Sequence, residues 1–442
     1  MNSIKYLVFS VFLLAALAGC EKGQEADYDD NFHPRIIDNN GVFLSPSRVI
    51  FQGQSAVYSG LMFSPKPMEK TKVVWKVNDK EVSTDTAYTF TPTAGGEYEI
   101  KVEATYNGQV STRISKVLVS PTTYTLKNFS HVALAYLSEN GTAKQVDWAN
   151  VTHVAFNCAK VTPDGLDVSK GQVNQVADEL VAHAHINGIP VMLGVSGRLS
   201  GIDGWSLYQS NEFGNAISDP VRRSALVAQI ATYVTARKLD GVDVMMTDLS
   251  DFGERNIAAT GPFLVALKAA LPAQSIITIT VTTNWMHWGY SNLNLVNWVN
   301  VHAFEDGAIS PGSPVAQPSS YDYMVAGANI WKNNHGPASK VVVGIPAFGL
   351  RFDELDGNGN NLGWGSYSYV PYSAILGKDA QAFSKETTKM DGKTVFYNGI
   401  PLVERKAEFL KANGFKGAYM WAVDYDVIGT NSLLRALNNK LK

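Results

Sequence analysis

Two periodicities divide the chain. Between Phe43 and Val119 apolar and polar residues alternate over short runs, clearest at residues 72–77, 87–91 and 97–104. Asn78-Asp79, Gly95-Gly96 and Asn107-Gly108 separate these runs as turn pairs. Alternation with period 2 sends successive side chains to opposite faces, so this stretch predicts a small all-β sandwich with Trp75 in its core.

After Ser120-Pro-Thr-Thr123 the pattern changes to apolar runs interleaved with amphipathic stretches of helical period. The runs at 132–137, 151–158, 190–195, 241–246, 276–282, 298–304, 341–345 and 417–421 read as strands, several of them apolar on both faces as in a covered parallel sheet. Helix ends are marked as well. Asp219-Pro220 supplies an N-cap with proline in the first turn ahead of Leu226, Ile230 and Val234, and Gly414 stops the stretch that contains Leu410. Eight strands in about 310 residues predict an α/β fold, a (β/α)8 barrel of the TIM type. No Gly-x-Gly-x-x-Gly follows the first strand, which argues against a dinucleotide-binding sheet.

Composition changes the picture mainly at the N-terminus. Lys5 precedes an apolar stretch at 6–18 that is too short to span a bilayer and has the form of a signal-peptide core. Leu17-Ala-Gly-Cys20 follows and resembles a bacterial lipobox, which implies acylation of Cys20 and a lipid-anchored mature protein. Glu21, Glu25, Asp27, Asp29 and Asp30, opposed by Lys22, then form an acidic tether. The divisions expected are a signal peptide at 1–19, the tether at 20–42, the sandwich at 43–120, a linker at 121–128 and the barrel at 129–442. The net charge of −3 leaves no footprint for nucleic acid. Once Cys20 is acylated Cys158 is the remaining cysteine, so neither a disulfide nor a zinc cluster is expected, and no metal or other cofactor is implied.

Strand 4 carries the chemistry-bearing motif, Leu239-Asp240-Gly241-Val242-Asp243-Val244-Met245-Met246-Thr247-Asp248. It resembles the Asp-Gly-x-Asp-x-Asp-x-Glu signature of glycoside hydrolase family 18, the chitinases and endo-β-N-acetylglucosaminidases. Residues 151–156, 298–302, 340–349 and 417–422 resemble that family's strands 2, 6, 7 and 8. The sandwich is similar to polycystic-kidney-disease-type (PKD) and bacterial immunoglobulin-like modules, which commonly serve as spacers.

The resemblance implies that Asp240 and Asp243 match the first two acidic positions, while Met245 and Thr247 occupy those of the third aspartate and the catalytic glutamate. In the family the glutamate protonates the leaving oxygen and the aspartate orients the substrate's own acetamido nucleophile. A threonine hydroxyl is too weak an acid for that step. Asp248 points to the opposite face of an extended strand and comes in only through a bulge at Thr247. On strand 6 the family's Met-x-Tyr-Asp becomes His302-Ala303-Phe304-Glu305, without the tyrosine hydroxyl that supports the acetamido carbonyl, and on strand 3 its Ser-x-Gly-Gly becomes Gly194-Val195-Ser196-Gly197. Trp421 matches the tryptophan that floors the sugar site. Trp205, Trp285, Trp288 and Trp364 lie after strands and are further candidates to line a cleft, with Asp243, Phe304 and Glu305 around the centre. His183-Ala-His185 is spaced for different helix faces and reads as a solvated helix, and Asp356-Gly-Asn-Gly-Asn360 as a glycine-rich hairpin rather than a calcium loop.

The expected function is non-catalytic binding of N-acetylglucosamine-containing glycans, as in the surface glycan-binding lipoproteins of Bacteroidetes that the chain resembles. That resemblance implies an outer-membrane location facing outward, with a glycan importer and its lid lipoprotein as partners. Two other readings stand beside it: an active endo-β-N-acetylglucosaminidase or chitinase with a displaced acid, and a protein-protein adhesion scaffold.

Overall fold

The computed structural model describes residues 32–44, 47–65, 70–168, 173–197, 212–245 and 253–442. They form two compact units, one extending to Val119 and one from Ser120 to Lys442, with residues 94–96 clustering with the second. Cys20, Trp205, Thr247 and Asp248 lie outside the described residues.

The first unit is strand-rich. A five-stranded sheet runs in the order β2 (Ser47–Phe51), β9 (Gln109–Ser120), β8 (Gly96–Tyr106), β5 (Lys72–Val77), β6 (Lys80–Ser83). Two-stranded pairs of β1 (Arg35–Asp38) with β4 (Leu61–Ser64) and of β3 (Ala56–Tyr58) with β7 (Tyr88–Phe90) complete it. Asn78 and Asp79 (φ 47° and 63°) and Asn107 and Gly108 (φ 45° and 81°) turn the two hairpins through left-handed conformations that match strand twist. Trp75 is fully buried against Tyr58 and Phe43, and its indole N–H donates to the Asp85 carbonyl at 2.9 Å. The unit begins earlier than the alternation implied. Arg35–Asp38, within the stretch read as tether, is a strand because Ile36 enters the core and the Asp38 carboxylate accepts from the Val42 and Phe43 amides at 2.9 and 2.8 Å.

The second unit is a closed eight-stranded parallel barrel: β10 (Val132–Leu137), β11 (His153–Thr162), β13 (Val191–Ser196), β14 (Gly241–Met245), β15 (Ile276–Val281), β16 (Trp298–Val301), β17 (Val341–Pro346) and β22 (Gly417–Trp421). β12 (Gly165–Asp167) is a hairpin partner of β11. Alternate residues serve two cores. Val242 and Val244 of β14 pack outward under the helices, whereas Met245 faces the interior with Tyr136, Phe304, Tyr419 and Trp421. The Asp219 carboxylate caps the helix Pro220–Ala236 by accepting from the Arg222 amide. A four-stranded antiparallel sheet, β18 (Phe348–Phe352), β19 (Tyr367–Pro371), β20 (Thr387–Met390) and β21 (Lys393–Phe396), is inserted between the last two barrel strands. Its glycine-rich hairpin turns at Asp356, whose carboxylate accepts from the amides of Asn358 and Asn360.

Two expectations need correction. The strand expected to reach residue 304 ends at Val301, and the chain then bends through Glu305 at φ 81°. Residues 121–128 are not a free linker, because Tyr124 stacks on His185 at 3.5 Å and the Lys127 amide donates to Gly188 O at 2.8 Å.

Candidate functional site

Asp243 is the centre of the barrel interior. It is fully buried, and its carboxylate accepts from Thr278 Oγ1 (2.6 Å), Asn300 Nδ2 (2.9 Å), Thr280 Oγ1 (2.9 Å) and Tyr136 Oη (3.0 Å). Burial pushes its pKa up, while these four donors pull the other way. Asn300 is held in turn by the Trp298 indole N–H at 2.9 Å. Two residues farther along β14, Met245 is 3% exposed and places a thioether where a second inward carboxylate would stand.

Asp240 does a different job at the opposite end of the strand. Its carboxylate accepts from Tyr124 Oη at 2.8 Å and from the Val191 amide at 2.8 Å, and it meets His185 Nε2 at 2.9 Å. His185 is therefore buried beneath the Tyr124 ring, which corrects its reading as part of a solvated helix. His183 instead stacks on Trp148.

At the mouth, Phe304 is fully buried between His302 (ring centroids 3.7 Å apart), Phe348 and Tyr419. Glu305 is 3% exposed, with Oε2 3.9 Å from His302 Nε2. Burial holds the His302 pKa well below the usual imidazole value, so near neutrality this contact is not an ion pair. Trp421, expected as a sugar floor, is 1% exposed and packs against Tyr136 at 4.9 Å. Tyr136 lies opposite Trp421 in the strand register, and the two rings close on each other.

The most exposed tryptophans among the described residues are elsewhere. Trp285 and Trp288 are 66% and 64% exposed on the single 3-10 turn Trp285–Gly289, which follows β15 and is capped by Asn284 Oδ1 accepting from the Met286 amide. Side chains three apart in a 3-10 turn eclipse, so both rings lie on one side of it. Trp364 is 52% exposed on the inserted hairpin. Thr278, Thr280, Asn300 and Tyr136 were not singled out from the sequence. Polar residues at every second position of otherwise apolar strands were the available signal.

Residues 105–426 match the family model for glycosyl hydrolases family 18, and residues 60–106 match a PKD-like domain. The chain belongs to glycosyl hydrolase family 18. Chitotriosidase-1 of Mus musculus is 20% identical over 348 residues, covering 67% of this chain and 73% of that protein. A chitinase from Bacteroides thetaiotaomicron has the same fold with a TM-score of 0.58 at 22% identity, covering 71% of this chain and 97% of its own. YKL-39, solved in the presence of chitooligosaccharides, gives a TM-score of 0.56 at 16% identity, covering 70% of this chain and 98% of its own. Against the family-18 signature, the first aspartate in this barrel fastens the barrel floor and the second sits in a filled hydrogen-bond shell.

Proposed function

We propose that this family-18 barrel binds N-acetylglucosamine-containing glycans, of the chitooligosaccharide or N-glycan type, at the cell surface without cleaving them. Asp243 carries the reading. Its oxygens are occupied by four donors, and the two signature positions that follow are Met245 and Thr247, neither of which carries a carboxyl group. The solvent exposure of Trp285, Trp288 and Trp364 supports sugar binding, because pyranose faces stack on flat apolar rings. Acylation of Cys20 would anchor the protein in the outer membrane, facing outward, where it would hand glycan to an importer and its lid lipoprotein.

The test uses the soluble protein without residues 1–20. Calorimetry should show binding of chitooligosaccharides or N-glycans, with no new reducing ends on prolonged incubation. Robust hydrolysis that disappears in Asp248→Asn would overturn the reading in favour of an enzyme with a displaced acid. Absence of binding to either glycan class would favour the adhesion scaffold.

A further inference from the structure

The turn that carries Trp285 and Trp288 is anchored through a polar ring. His287 is its one buried residue, while the two tryptophans stand in solvent. His287 Nδ1 lies 2.8 Å from Nε2 of His335, the residue that ends the helix Tyr321–Asn334, with the ring planes at 90°. Trp288 covers both imidazoles, its ring 4.4 Å from His287 and 5.4 Å from His335. The helix side is fixed, because Trp331 is fully buried against His335 and its indole N–H donates to Thr282 O at 2.9 Å. The flanks of the turn are fixed as well, by the Asn284 cap and by the buried Tyr290, whose hydroxyl accepts from the Thr282 amide at 3.3 Å. Between them Met286 and Gly289 rest on Gly253 and Ile257, and the His287–His335 bond ties the turn to the helix Tyr321–Asn334.

That bond counts protons. An N–H···N contact needs one proton between two nitrogens, which two neutral imidazoles supply and an imidazolium beside an imidazole supplies equally. A second added proton sets N–H against N–H, and two cations repel. Among the described residues no carboxylate, Glu254 of the neighbouring helix Gly253–Ala270 included, forms an ion pair with either ring to offset that charge. The cations around the pair are engaged elsewhere: Arg255 donates to Asn215 and Asn256 at 2.8 and 2.9 Å, Lys332 lies over the Phe415 ring, and Lys340 donates to Val296 O at 3.3 Å. Burial lowers the His287 pKa, and burial followed by the charge of His287 lowers that of His335. Values below the free imidazole's, about 6.5, mean that the closed arrangement binds protons less tightly than the open one. Its stabilisation is therefore complete above about pH 6.5 and is lost as pH falls below it.

We propose that the His287–His335 pair is an acid-opened latch on the tryptophan-bearing turn. With one shared proton it holds Trp288 against the barrel, and the second proton frees the turn. A consequent loss of sugar affinity rests on the glycan-binding reading above; the latch does not.

Hydrogen exchange of residues 285–289, read by mass spectrometry and corrected for intrinsic rates, tests it at pH 7 and about pH 4 in wild type, His335→Gln and His335→Leu. The glutamine amide accepts from His287 whatever the pH, and leucine offers no partner. Wild type should lose protection about three- to tenfold in acid, the worth of one neutral hydrogen bond, while residues 241–245 of β14 keep theirs. His335→Gln should stay protected at both pH values and His335→Leu at neither. Wild-type protection that is independent of pH, an equal acid loss in His335→Gln, or full protection in His335→Leu would each overturn the proposal. Chitopentaose affinity by calorimetry should fall in acid for wild type and hold for His335→Gln. If wild type binds no chitopentaose at pH 7, the glycan-binding reading fails, and the exchange result alone decides for or against the latch.

Discussion

The Tyr136 hydroxyl reaches Asp243 Oδ2 across 3.0 Å of the barrel interior, and it can do so because residue 194 has no side chain. A Cβ at Gly194 would stand 2.3 Å from that hydroxyl and 2.8 Å from the Phe156 carbonyl oxygen. Gly194→Ala is expected to destabilise the barrel by about 1–3 kcal/mol through overpacking, and by less when combined with Tyr136→Phe. Urea unfolding of the four proteins measures the coupling. Equal penalties in both backgrounds would assign the restriction to the Phe156 carbonyl alone.

The tryptophans should separate into two groups. Trp421→Ala removes a buried ring and is expected to destabilise by about 3–5 kcal/mol. Trp285→Ala and Trp288→Ala should leave the melting temperature alone and weaken chitooligosaccharide binding roughly tenfold, taking aromatic stacking on nucleic-acid bases as a loose guide to its worth. A stable Trp421→Ala that no longer binds sugar would return the stacking floor to Trp421.

Asp426 gives the barrel a pH dependence of definite sign. Its buried carboxylate accepts from Ser432 Oγ and from the amides of Leu433 and Leu434 at the start of the helix Leu433–Leu441. Burial nevertheless pushes its pKa up to about 6. The folded value lies above the unfolded one of about 3.9, so the folded state binds the proton more tightly. This contribution to stability is complete below about pH 4 and is lost as pH rises through 6, by about 3 kcal/mol overall. In Asp426→Asn this contribution to the slope should be lost, leaving those of the other buried carboxylates, Asp243 and Asp424, which burial also pushes up. Unfolding free energies of both proteins from pH 4 to 7 decide the matter, and a constant difference between them would contradict it.

Replacing Cys20 with alanine should leave an unprocessed precursor or release the protein into the soluble fraction. Fractionation and immunoblotting provide the measurement. A processed protein that stays with the membrane without Cys20 would end the lipid-anchor proposal.

The barrel strands were legible because a parallel strand covered on both faces is an apolar run, and such runs stand out between amphipathic helices. The strand-4 motif was legible for the same reason, being short and regular. Contacts made at long sequence separation were not. Nothing in the spacing of His183 and His185 announces Asp240, and Tyr124 reads as part of a connecting segment until the barrel floor is assembled beneath it. Thr278 and Thr280 pass for ordinary strand formers until β10, β15 and β16 aim at one carboxylate. Position at a strand end marked Trp421 as a ligand platform, but whether its face is open depends on Tyr136 from another strand.

The attachments of Asp240 and Asp243 bear on how such a motif ages. Asp240 ties the approach segment to the barrel floor, and Asp243 ties together three of the strands that close the interior. Both attachments hold this barrel together whatever stands at the two positions that follow. Their presence in a chain is therefore a mark of barrel construction, and hydrolysis has to be read from the two positions that follow.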